Sequence, residues 1–208
     1  MNLLDIVPEV MEPKLSPALA AYQSNRMPEF KRVLESHPLK DPIGGISVCE
    51  AFWLYNLVKD ISPGLVIESG TLYGYSLWFL HEAIEPKPLR LYSFDPGYEP
   101  KYKLGDVIYL KKDWTSFENV PENTFVFFDD HQDQGQRLNE ALQRGVRDIV
   151  FHDNYLSLKH SHRPIRYCAL SDRVEFSFTF PVLRNDLIFF PGVNAQTYRW
   201  LTWLRLGR

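Results

Sequence analysis

The stretch Val66-Ile-Glu-Ser-Gly-Thr-Leu-Tyr-Gly-Tyr-Ser76 constrains this chain more than any other. Leu65-Val66-Ile67 enters it as a short apolar run with the character of a buried strand, which ends on the acid Glu68. The chain then turns through Gly70 and Gly74, and Ser76 to Leu80 continues as the apolar body of a helix. A strand, a glycine turn and a helix in that order make a place to hold a ligand. Glycine lets backbone approach closely, and the free N–H groups at a helix start favour electron-rich groups. A dinucleotide loop would read G-x-G-x-x-G, and a P-loop would end in G-K-[ST]. This turn is E-x-G-x-x-x-G without a lysine, and Leu72 stands where a nicotinamide enzyme would have its second glycine.

A chain of 208 residues is long enough for a substantial core and is most simply one domain, with N-terminal helices over 1–62 and a sheet core over 63–208. A formal charge of −3 argues against a broad nucleic-acid surface. Asp5, Glu9 and Glu12 near the start do not make a signal peptide, and no apolar run is long enough to span a bilayer. Cys49 and Cys168 match no zinc or redox spacing, so a reducing cytoplasm is the expected compartment.

Ser16-Pro17 opens a helix over much of 18–35, and Ser47 with Glu50 forms a capping box before a helix over 51–61. Strands are expected at 89–94, 107–110, 124–128 and 148–151, with a helix over 134–144. Near the C-terminus, 174–180 alternates strictly, as an edge strand does, whereas Leu187 to Phe190 is continuously apolar, as a strand buried on both faces is.

Acids stand at several strand ends. Asp95 follows the second strand about 25 residues beyond Gly70, where a carboxylate suits the vicinal hydroxyls of a ribose. An Asp-Pro-Gly turn explains the same residues. The fourth and fifth strands deliver Asp129-Asp130-His131 and His152-Asp153-Asn154. Adjacent strands would bring these groups roughly 5 Å apart, where two carboxylates and an amide oxygen can converge on Mg²⁺. Helix capping by Asp129 or Asp153 is the structural alternative.

The glycine turn resembles the first motif of class I S-adenosylmethionine-dependent methyltransferases. Together with the Asp130-His131 and Asp153-Asn154 pairs it is similar to the magnesium-dependent catechol O-methyltransferase type over residues 68–154. The resemblance implies a Rossmann-like, doubly wound and mostly parallel seven-stranded sheet whose last strand is antiparallel, slotted inside the sheet with its hairpin partner at the edge. It implies that Glu68, Gly70, Gly74 and Ser76 hold the methionine end of S-adenosylmethionine, Asp95 the ribose and Asp113 the adenine, with Trp114 stacking on the base or filling core. It makes Asp130, Asp153 and Asn154 the Mg²⁺ ligands, and Asp130 and His131 the residues closest to the chemistry.

Two departures stand out. The family's catalytic lysine falls on Asp133, and the doubled Asp129-Asp130 leaves the register open by one residue. His131, Lys159, His160 and His162 are the candidates for a replacement base. The implied activity is O-methylation of a small-molecule or sugar hydroxyl, with room for a homodimer and with no nucleic-acid or membrane partner. The competing reading is a methyltransferase-like protein that binds a nucleoside or a partner without catalysis.

Overall fold

The computed structural model describes residues 2, 17–39, 45–84, 90–153, 163–165, 168, 172–180 and 201–207. Two helices lead into the sheet. The first, α1 (Pro17–Ser36), buries Leu19, Tyr22, Met27 and Phe30. It is tied to α2 (Val48–Ile61) where Tyr22 Oη donates to Asp60 at 2.7 Å and Tyr55 Oη donates to Glu29 at 3.1 Å. The expected capping box forms at the start of α2: Glu50 N–H donates to Ser47 Oγ at 3.2 Å, and Ser47 N–H to Glu50 Oε2 at 2.7 Å. Ser62, left-handed at φ 49°, ends the helix, and Pro63-Gly64 passes the chain into β1 (Leu65–Ser69).

From there the chain runs through α3 (Tyr75–Ala83), β2 (Leu91–Phe94), β3 (Ile108–Leu110), a 3-10 turn at Trp114–Ser116, β4 (Thr124–Phe128), α4 (Gln134–Gln143) and β5 (Asp148–Phe151), and the sheet ends with β6 (Val174–Thr179) and β7 (Thr202–Leu206). The strand order is β3-β2-β1-β4-β5-β7-β6. Every pairing is parallel except those of β7, which runs antiparallel to both β5 and β6. This is the doubly wound sheet with one antiparallel strand that the family resemblance implies.

Pleating divides the apolar side chains between two layers. Phe125 and Phe127 join Val66, Val150 and Trp203 on the face covered by α1, α2 and α3. Val126 and Phe128 join Ile67, Ile149 and Leu204 on the face covered by α4. All five residues of β1 and of β4 are buried, as central strands covered on both faces must be.

The inserted antiparallel strand is Thr202–Leu206; the continuous run 187–190 expected for that role lies outside the described residues. Arg205 hides β7 in the sequence, because a charge interrupts its apolar pattern. The charge is neutralised inside the sheet, where Arg205 Nε donates to Asp148 Oδ1 at 2.8 Å and the guanidinium lies 5.1 Å from the Trp203 ring. β6 does alternate in burial and forms the edge, as expected.

Candidate functional site

The sheet reverses its strand order between β1 and β4, and a cleft in an open α/β sheet forms beyond the carboxyl ends at that point. Here the cleft is about 370 Å³, lined by Gly70 and Leu72 after β1, Asp95 to Tyr98 after β2, Asp113, and Asp129 to Gln132 after β4. Of the six residues expected around a nucleoside cofactor, Gly70, Asp95 and Asp113 line it. Glu68 and Ser76 lie beneath the loop, where Ser76 Oγ donates to Glu68 Oε1 at 2.5 Å, and burial pushes the Glu68 carboxyl up to about 8. Gly74, at φ +86°, turns the chain into α3.

Gly70 has φ +91°, and a Cβ there would lie 2.4 Å from the Asp129 carbonyl oxygen and 2.6 Å from the Asp130 nitrogen. The glycine therefore admits the protein's own β4 exit, whatever space it also leaves a ligand. Asp95 knits two loops: Oδ2 accepts from the N–H groups of Thr71 and Leu72, both at 3.1 Å, and Oδ1 from those of Gly97 and Tyr98, both at 2.9 Å. The Asp-Pro-Gly turn is thus formed, and the carboxylate also stands at the cleft. Trp114 is fully buried, 5.2 Å from the Phe128 ring, so it fills core.

The acids after β4 separate into two groups. Asp130 Oδ2 accepts from Ser69 Oγ at 2.7 Å and from Arg137 Nε at 2.8 Å. Arg137 extends the group by donating from Nη2 to Asp113 Oδ2 at 2.6 Å and from Nη1 to Glu140 Oε2 at 2.7 Å. Desolvation works against the Asp113 carboxylate, but hydrogen bonds from Arg137 and Thr115 hold it down at about 2. Asp129 turns the other way, towards His152, whose Nδ1 lies 2.5 Å from Asp129 Oδ1. His152 Nε2 faces Glu50 Oε1 at 3.4 Å. Burial opposes the charged imidazole, yet Asp129 and Glu50 outweigh it and raise His152 well above its usual value.

His131, more than half exposed, places Nε2 2.9 Å from Oδ2 of the buried Asp153. That hydrogen bond raises the His131 imidazole above its ordinary range. Both residues are left-handed, at φ 55° and 57°, a costly conformation away from glycine that concentrates at functional sites. Ligand atoms of Asp129, His131 and Asp153 all lie within 4.8 Å of one another. Of the expected ligands Asp130, Asp153 and Asn154, this grouping contains Asp153; Asp129 stands in place of Asp130, whose carboxylate is turned to Arg137 and Ser69, and His131 joins it. Asn154, Lys159, His160 and His162 lie outside the described residues. Asp133, at the family's lysine position, caps α4 by accepting from Gln136 N–H at 2.8 Å and pairs with Arg163.

Sequence reasoning overlooked Arg137, His152 and the second role of Glu50. The signal for Arg137 was present: it falls on the 134, 137, 138, 141 stripe that α4 buries, and a charge on such a stripe requires partners.

No family model matches the chain, and no curated protein matches it. Among solved structures the architecture is that of the Rossmann-like methyltransferase fold. The O-methyltransferase TomG of Streptomyces achromogenes, involved in tomaymycin synthesis and solved with S-adenosylmethionine, is similar at TM-score 0.59 and 15% identity, over 100% of this chain and 97% of that one. An O-methyltransferase of Bacillus cereus in complex with S-adenosylhomocysteine gives TM-score 0.58 at 16% identity, over 97% and 96% of the two chains. The S-adenosylhomocysteine-bound methyltransferase PaMTH1 of Podospora anserina gives 0.53 at 16% identity, over 92% and 94%.

Proposed function

We propose that the protein is an S-adenosylmethionine-dependent O-methyltransferase acting on a hydroxyl of a small molecule or sugar. The observation that carries this reading is the cleft at the strand-order reversal, lined by Asp95, Asp113, Asp129, Asp130 and by His131, which is itself paired with Asp153. The fold neighbours named above, solved with S-adenosylmethionine or S-adenosylhomocysteine, support the choice of donor. S-adenosylmethionine would supply a methyl group on a positively charged sulfonium, which a cleft rich in carboxylates favours over an anionic ligand.

In this reading Gly70 and Leu72 form the wall against the methionine end, Asp95 faces the ribose and Asp113 faces the adenine. Glu68 and Ser76 hold the loop from below. As a metal-independent enzyme, the protein would use Asp153 to orient His131, and His131 to take the proton of the acceptor hydroxyl once its own imidazole is neutral; a His131 that holds a cation gives up that role to it. We place Asp130 in the frame of the cleft, since Ser69 and Arg137 already occupy its carboxylate. Two carboxylates and an imidazole suit a divalent cation such as Mn²⁺ or Mg²⁺, so Asp129, His131 and Asp153 are our candidate ligands, with Asn154 the next residue of the chain. Such a cation would lower the pKa of the acceptor hydroxyl.

Calorimetric titration with S-adenosylmethionine, with and without Mg²⁺, followed by labelled methyl transfer to a hydroxyl library, tests the proposal. Binding with turnover on one class of acceptor is expected. Tight binding with no turnover on any acceptor would favour the non-catalytic nucleoside binder, and no binding at all would overturn both.

A further inference from the structure

Arg137 is 4% exposed, although it lies on a helix at the protein's ligand cleft. From α4 it reaches Asp130, which follows β4, and Asp113, which follows β3. Through Asp130 it is connected to Ser69 at the end of β1. One side chain thus ties together three of the strand ends that frame the cleft.

The pattern on Asp113 is unequal. Oδ1 accepts from Thr115 N–H at 2.9 Å, Thr115 Oγ1 at 2.7 Å and Arg137 Nη1 at 3.2 Å. Among the described residues Oδ2 accepts only from Arg137 Nη2, at 2.6 Å. The Asp113 side chain is 43% exposed, against 5% for that of Arg137, so the member of the pair with spare accepting capacity is also its open member. Thr115 grips a single oxygen, which would let the carboxylate swing about that point. The two-pronged guanidinium contact fixes the plane as well as the position.

We propose that Arg137 is the positioning residue for the base end of the cleft, presenting Asp113 Oδ2 as a fixed acceptor that selects a purine donating from its 6-position. This inference rests on the nucleoside-donor reading above. A 6-amino group donates to that oxygen. A 6-oxo group sets an acceptor against that oxygen where the 6-amino group sets a donor, and its nearest donor, the ring N1–H, stands one position away. Lysine cannot substitute, because its ammonium is a point charge that neutralises Asp130 without fixing the plane of Asp113.

Calorimetric titration with S-adenosylhomocysteine and with S-inosylhomocysteine reads the selectivity directly. The wild-type protein is expected to bind the adenine compound about tenfold or more tightly than the hypoxanthine compound. Arg137→Lys keeps the charge inside the fold and should bring the two affinities within about threefold of each other. Glu140→Gln loosens the clamp from its outer side, where Glu140 Oε2 accepts from both Arg137 and Trp114, and should lower the ratio part of the way. A purely structural ion pair would change melting temperature and leave the ratio unmoved. Either folded variant keeping the wild-type ratio overturns the proposal, as does a wild-type protein that binds both compounds equally. A wild-type protein that binds neither overturns the methyl-donor reading itself.

Discussion

Replacing Gly70 with alanine separates what the protein's own backbone requires from what a ligand requires. The new Cβ would lie 2.4 Å from the Asp129 carbonyl oxygen and 2.5 Å from its carbon, distances that force β1 and β4 apart at their exits. Overpacking of this kind costs about 1–3 kcal/mol, and holding a side chain at φ +91° adds about 1–2 kcal/mol. Gly145 supplies the control, since it is also left-handed at φ +71° but has nothing within 4 Å of its would-be Cβ. Gly145→Ala should therefore lose about 1–2 kcal/mol from strain alone, and Gly70→Ala about 2–5 kcal/mol. Urea unfolding of both variants without any donor present measures the difference. If Gly70→Ala is no less stable than Gly145→Ala, the close approach of the two strand exits does not govern this turn.

Asp95→Ala removes the acceptor for four backbone N–H groups, so it should lower stability by about 1–3 kcal/mol as well as weaken donor binding; thermal melting with and without S-adenosylmethionine checks both. Glu68, pushed up to about 8 by burial, holds its proton in the folded state over a range where the unfolded chain has lost it. Its contribution is present below about pH 4.5 and is lost as pH rises towards about 8, so Glu68→Gln should flatten a decline in urea midpoint over that window. With Mn²⁺ as probe, Asp129→Asn and Asp153→Asn should each weaken binding measured by electron paramagnetic resonance, while Asp130→Asn should spare it. The reverse order for Asp129 and Asp130 would restore the register implied by the family motif.

Much of the fold was legible because its signals are local. Continuous apolar runs marked β1, β4 and β5, the S-x-x-E box marked the start of α2, and the glycine turn marked the exit from β1. The inserted strand was not legible. Its pattern is broken by Arg205, whose partners Asp148 and Trp203 come together only when β5 and β7 pair. The site divides in the same way. Acids at strand ends could be read from the strands that deliver them, so Asp95, Asp113, Asp129 and Asp153 were all in view. Which way each carboxylate turns depends on cations from other elements, Arg137 on α4 and His152 after β5, and no spacing rule ranks Asp129 against Asp130.

Arg137 and the two imidazoles, His152 and His131, explain how so many acids stand together at these strand ends. Unpaired carboxylates at these separations would hold protons or repel one another apart. Asp113 and Asp130 are neutralised by a guanidinium, which does not lose its proton in a protein. Asp129 and Asp153 are met instead by two imidazoles, His152 and His131. His152 is buried and held charged between Asp129 and Glu50, whereas the more exposed His131 can exchange its proton, or its place, with an arriving cation. The guanidinium half is therefore the permanent frame of the cleft, and the imidazole half is where charge can be exchanged. An exchangeable charge is what both proton removal from a hydroxyl and cation binding require. In the proposed function the chemistry would therefore fall to the exits of β4 and β5, and recognition to the exits of β2 and β3, where the charges do not move.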